Sequence, residues 1–237
     1  MHGSVKLVIA ATAALALIQI LAPTAMRAQS PPTEHELQVY AGLHAAAASG
    51  DVAEIERLIA DGERPNIQDS HSRTPLIVAT CRRQHQAAQA LLRLGANPNA
   101  RDSDRFDMLT IAVTQNDMEM FKIALAGGAD PRAVTGPYDG TALISAAHLG
   151  HVEMVKSLID AKAPLDRINA LGWTALITAV VLGNGDKNYL DTVEALVKAG
   201  ADAQIKDRAG LTALDHARAR GYTEIVKILE PVSGRKT

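Results

Sequence analysis

Apolar residues recur along this chain in short bursts, and the bursts come in pairs. In the stretch TALISAAHLGHVEMVKSL, from Thr141 to Leu158, the residues Leu143, Ala146 and Ala147 share one face of a short helix that Gly150 ends. Val152, Met154, Val155, Leu158 and Ile159 then fall at helical spacing on a second helix. The chain leaves that helix through a turn rich in Gly, Asp, Asn and Pro. Setting the bursts in register places the starts at Ala41, Thr74, Asp107, Thr141, Thr174 and Thr212, with steps of 33, 33, 34, 33 and 38 residues. A period near 33 is that of a unit that cannot bury its apolar face alone and must stack on its neighbours. The pattern predicts an all-α solenoid of about six stacked helix-turn-helix units.

Several positions keep their character from copy to copy. The Gly150 position holds Gly50, Asn116, Gly183 and Gly221, residue types that tolerate the positive φ of a helix stop. Arg83 in the second copy departs from this and predicts strain or a shifted helix end. Lys162 stands where other copies have Gly62, Gly95, Gly128 and Gly200, which predicts a looser turn. Thr74-Pro75-Leu76, Thr141-Ala142-Leu143, Thr174-Ala175-Leu176 and Thr212-Ala213-Leu214 open the first helices. Ala146-Ala147 and Gly150-His151 follow in the best copy, and Leu94-Gly95-Ala96-Asn97-Pro98-Asn99 and Ala199-Gly200-Ala201-Asp202 close units. On these residues the chain, from about Glu34 to Glu230, resembles the ankyrin repeat family, which implies hairpin-like fingers between the helix pairs.

The two ends of the array are polar, as unstacked faces must be. Arg218 and Glu230 replace aliphatic or small residues of other copies. Thr33 and Glu36 have the spacing of a capping box at the first helix start. Residues 34–230 therefore read as one continuous repeat domain, residues 29–33 as a short tether and residues 231–237 as a disordered tail. Before them, Lys6 precedes an apolar run from Leu7 to Ala22 and then Pro23 to Ser30, the layout of a secretory signal peptide over residues 1–28. The 16-residue run is short of the roughly 20 needed to span a bilayer core.

Composition narrows the compartment and the partner class. Net charge is −2, and −4 without Lys6 and Arg27, which carries no nucleic-acid footprint. Cys81 is the lone cysteine and no Asn-x-Ser/Thr acceptor occurs, so export without disulfides fits a bacterial periplasm.

Candidate chemistry is sparse. His71, His85, His148 and His151 lack the partners and spacing of a metal site, and His151 occupies the Gly-His position, a structural one in the resembled family. Cys81 and His85 are four apart, but the repeat phase places a helix end between them. Gly183 to Tyr189 contains a five-residue insertion between the two helices of the fifth copy. It lacks the alternating acids and closing Glu of a calcium loop, so it reads as a solvated lengthening. The expectation is a protein without enzymatic activity, cofactor or metal.

The resemblance implies a concave surface built from fingers and the exposed side of the first helices. Carried onto this sequence, it selects Arg73, Asp104, Phe106, Tyr138, Leu171, Trp173 and Arg208 on fingers. At the ends of first helices it selects Arg82, His148, Leu149, Val181 and Leu182. Three of the seven aromatics, Phe106, Tyr138 and Trp173, fall on consecutive fingers, the composition of an interface hot spot. The alternative is that these rings pack on adjacent fingers and stiffen them. The fourth finger, Val134 to Gly140, is one residue longer than its neighbours and sets Tyr138 out of register.

The expected function is therefore recognition of a partner protein in the periplasm by a monomer, as a scaffold or as an inhibitor or immunity-type cover of an exported enzyme or toxin. No membrane contact is expected after cleavage. A second reading keeps the Leu7 to Ala22 run uncleaved and makes the chain a membrane-tethered structural protein of the envelope.

Overall fold

The computed structural model describes residues 30–234, and the expected leader and the last three residues of the expected tail lie outside them. The described part is helical, without strands, and groups into two compact units, residues 30–142 and 143–234. No described helix is long and apolar enough to cross a membrane.

The first unit contains α1 (Glu34–Val39), α2 (Gly42–Ser49), α3 (Val52–Ala60), α4 (Pro75–Cys81), α5 (His85–Arg93), α6 (Met108–Thr114) and α7 (Met118–Ala126). α2, α4 and α6 pack in sequence as one layer and α3, α5 and α7 as a second. First helices are nearly all apolar because both flanks are covered: Pro75 through Thr80 are all buried, as are Met108 through Val113. Second helices are amphipathic and bury one stripe, such as Ala87, Ala88, Ala90 and Leu91 on α5.

Caps fix where each helix begins. Thr33 and Glu36 form the expected capping box, and Asp51, Thr74, Asp107 and Asp117 each accept a backbone N–H in the first turn. One such cap contributes about 1 kcal/mol. Arg83 closes α4 with φ 56°, so the helix end keeps its place and arginine adopts the left-handed conformation. Its guanidinium donates to Gln115 O at 2.6 Å.

The second unit contains α8 (Ala142–Leu149, whose first residue belongs to the first unit), α9 (Val152–Asp160), α10 (Ala175–Leu182), α11 (Lys187–Lys198), α12 (Ala213–Ala219) and α13 (Thr223–Leu229). α10 packs on α12, and α11 on α9, α10 and α13. The expected loosening at Lys162 does not occur. With φ 63° it donates to Ile159 O at 3.0 Å, as Gly128 donates to Leu125 O at 3.2 Å. At the chain's end Arg218 pairs with Glu230 at 2.8 Å, both exposed.

The insertion departs from expectation in two ways. Gly183 is extended, φ −69° and ψ 162°, because the chain continues into the insertion instead of turning directly. A side chain there would meet Ala179 O at 2.3 Å and the Tyr189 ring at 2.5 Å, so glycine is required by close approach. Asp186 caps α11 by accepting from Asn188 and Tyr189, and α11 is 12 residues long against 9 for α9. Part of the lengthening is therefore helix, with Tyr189 in its first turn.

Candidate protein-binding surface

Four of the fingers are tight turns, each locked by an Asp or Asn placed five residues before a helix N-cap. Asp69 Oδ1 accepts from the amides of His71 and Arg73, both at 2.8 Å, and Asp102 Oδ1 accepts from Phe106 at 2.8 Å. In the second unit Asn169 Oδ1 accepts from Leu171 and Trp173 at 2.9 and 3.0 Å, and Asp207 Oδ1 from Ala209 and Leu211 at 2.8 and 3.0 Å. The residue before last in each turn has positive φ: Ser72, Arg105, Gly172 and Gly210. The fourth finger closes differently, with a single bridge between Thr135 and Gly140.

The tips of the first unit are also stitched to one another. Ser103 N donates to His71 O and Gly136 N donates to Arg105 O, both at 2.9 Å. Rigid tips of this kind hold side chains in fixed positions without the entropic cost of ordering a loop on docking.

Of the twelve residues selected from the sequence, three lie inside. Arg73 is 2 % exposed, with Nη2 at 2.5 Å from Glu36 and Nε at 2.7 Å from Asp69, so its charge is spent within the fold. Phe106 is 6 % exposed in a cluster with Ile77 and Ile111, and the backbone of Gly136 lies against its ring. Val181 is 1 % exposed within α10, and its carbonyl accepts from Arg220 at 2.5 Å. None of these three side chains presents a face to a partner.

The other nine reach the surface in different degrees. In the first unit Arg82 is exposed with Glu34 at 3.9 Å, and Asp104 and Tyr138 are half-buried. In the second unit His148, Leu149, Leu171, Trp173 and Leu182 are half-buried and Arg208 is exposed. The second unit thus keeps four large apolar side chains, Leu149, Leu171, Trp173 and Leu182, partly open to water.

A set of side chains not marked from the sequence caps the C-terminal ends of first helices from the next repeat. Gln84 donates to Ala48 O at 3.3 Å and Gln115 to Cys81 O at 3.0 Å. Tyr189 donates to His148 O at 2.9 Å, and Tyr222 to Gly183 O at 2.9 Å. These donors satisfy carbonyls that the helix cannot pair. They also tie the helix ends that carry Arg82, His148 and Leu182 to their neighbours.

Two of the imidazoles have carboxylate partners. His85 faces Asp117 at 2.9 Å, and His216 faces Asp207 at 2.7 Å. Burial, and then His151, pushes His148 below the ordinary imidazole value, and burial does the same to His151. Among the described residues no group of three or more His, Cys, Asp or Glu is arranged to hold a metal ion.

Stacked helix pairs with locked turns between them define a helical-repeat protein of the protein-binding class. The chain belongs to the ankyrin repeat family: one family model, "Ankyrin repeats (3 copies)", matches residues 7–102 and 109–207, and a second, "Ankyrin repeats (many copies)", matches 185–230. It is 31 % identical over 185 residues to the ankyrin repeat protein YahD of Escherichia coli (strain K12), covering 78 % of this chain and 92 % of that protein.

Among solved structures it is similar to an ankyrin repeat domain from Acinetobacter baumannii AYE, with 42 % identity and a TM-score of 0.77, covering 82 % of this chain and 98 % of that one. It is also similar to a chain in the complex of the predatory endopeptidase Bd0816 from Bdellovibrio bacteriovorus with immunity protein Bd3460. There the identity is 26 % and the TM-score 0.68, over 81 % of this chain and 98 % of that one. Ankyrin repeats are protein-protein interaction modules, and the family is one of non-catalytic scaffolds.

Proposed function

We propose that this chain is an exported protein of the bacterial periplasm that binds a partner protein through its second unit. The observation that carries this reading is Trp173, the one tryptophan of the chain, held half-open at a locked finger tip beside Leu171. A buried tryptophan would stiffen the fold, whereas a half-open one on a rigid backbone is an anchor for a partner. Leu149 and Leu182 at the ends of α8 and α10 are partly open in the same unit. The leader layout of residues 1–28 supports export, and the bacterial relatives support a bacterial setting. The likeness to a chain of an endopeptidase–immunity protein complex favours an inhibitory cover of an exported enzyme over a passive scaffold.

The test is affinity capture from a periplasmic extract with the exported protein and a Leu171→Ala/Trp173→Ala variant, with intact mass read on the same sample. The expected result is loss of the leader mass and a partner, inhibited on binding, that the variant fails to retain. Equal capture by both proteins would move the site elsewhere. An unprocessed mass would favour the tethered reading.

A further inference from the structure

Three arginines sit in the locked finger tips, and two of them are neutralised. Arg73 is paired with Glu36 and Asp69, and Arg105 with Asp139 at 2.8 Å. The third, Arg208, is exposed, and among the described residues no carboxylate lies within ion-pair range of it. The acid beside it cannot serve, because Asp207 is 5 % exposed at its side chain. Its Oδ1 takes two amides, and its Oδ2 faces His216 Nε2 at 2.7 Å. The tip thus hides its negative charge and shows its positive one.

Arg208 also lies next to the finger that carries the half-open tryptophan. Its stem lies across Gly172, where an added Cβ would stand 2.7 Å from Arg208 Cγ and 3.2 Å from its backbone N. Gly172 joins Leu171 to Trp173, so an unspent guanidinium borders the apolar tip. A carboxylate arriving there would form a charge-assisted pair with the guanidinium, while an apolar neighbour would cover the indole.

We infer that the partner presents a carboxylate next to an aromatic or aliphatic side chain, the carboxylate pairing with Arg208 and the apolar group lying on Trp173 and Leu171. This rests on the protein-binding reading above and specifies the chemistry of its partner.

The experiment pans a random 12-residue peptide display library on the processed protein and titrates the enriched peptides by the fluorescence of Trp173, which has no other tryptophan to obscure it. Enriched peptides are expected to share an Asp or Glu beside an apolar residue. Replacing that acid by its amide should weaken binding at least tenfold, Arg208→Gln should do the same, and Arg208→Lys should recover part of the loss. Circular dichroism of the variants excludes misfolding as the cause.

An enriched pool without acids, no enrichment, or unchanged affinity in Arg208→Gln would overturn the inference. Where capture of the protein partner depends on Leu171 and Trp173 but the peptides lack acids, the surface stands and only the carboxylate chemistry falls. Where capture ignores both residues, the surface itself falls.

Discussion

The Arg73 guanidinium meets the Glu36 carboxylate at 2.5 Å across 37 residues of sequence, and its Nε meets Asp69 at 2.7 Å. Tyr40 adds its hydroxyl to Asp69 at 2.6 Å, so one buried cation ties α1 to the first finger. Removing the cation leaves an acid 9 % exposed at its side chain without compensation, the situation in which a broken buried pair is costly. Arg73→Met should destabilise the first unit by about 3 kcal/mol. Urea denaturation of this variant against the parent checks it.

The same cluster sets an acid limit. Backbone and side-chain bonds from Thr33 and Arg73 hold Glu36 down at about 2. Burial pushes Asp69 upward, but bonds from Tyr40, Arg73 and the His71 amide outweigh it and leave Asp69 at about 2. In the unfolded chain both acids return to the ordinary carboxylate range near 4. Below that range the unfolded state binds more protons, so the contribution is whole above about pH 4 and drains as pH falls toward 2. Hydrogen exchange of the Tyr40 amide should accelerate between pH 4 and 2 after correction for intrinsic rates. In Arg73→Met this onset should move to higher pH.

Imidazoles act on the second unit in a separate window. His148 Nδ1 is buried without a hydrogen-bond partner, and His148 and His151 both lie below the ordinary 6.5. Their folded forms resist protonation that the unfolded chain accepts, so stability falls as pH drops below about 6.5. The urea midpoint should decline between pH 7 and 5, and His148→Gln should flatten that decline.

Tyr189 connects the insertion to α8 through His148 O. Tyr189→Phe removes one hydrogen bond and leaves a carbonyl unpaired, a loss of about 1 kcal/mol. Gly183→Ala drives a methyl into Ala179 O and the Tyr189 ring, and overpacking of this kind costs about 1–3 kcal/mol. Thermal melts of the two variants should rank in that order, with Gly183→Ala the lower. A reversed rank would mean that the insertion yields and that its backbone is not held by the ring.

The period, the helix pairs and the capping box were legible because each is written in local residue types. Thr33 with Glu36, Thr74, Asp107, Thr174 and Thr212 all cap helices where the pattern places them. The finger locks are written in the sequence as well, in Asp69, Asp102, Asn169 and Asp207 at a constant offset from the helix starts, a signal the repeat period alone does not bring out. Burial of single finger residues was not legible. Arg73, Phe106 and Trp173 occupy one repeat position, yet two are buried and one is half-open. The difference comes from neighbours: Glu36 reaches Arg73 from α1, and the longer fourth finger lays Gly136 on Phe106.

That contrast gives the sharpest separation of fold from function. Phe106 fills a cluster with Ile77 and Ile111, so Phe106→Ala leaves a cavity and should cost about 3–5 kcal/mol of stability. Its ring is covered, so the folded variant should bind the partner as the parent does. Trp173 is half-open on a backbone held by Asn169, and the lock survives truncation of the indole because both bonds are made by main-chain amides of Leu171 and Trp173. Trp173→Ala should therefore lower partner affinity by about 2 kcal/mol or more while moving the melting temperature little. Calorimetric titration and thermal melts on both variants form one two-by-two comparison. Loss of stability with full affinity for Trp173→Ala would assign the indole to the fold and remove it from the binding surface.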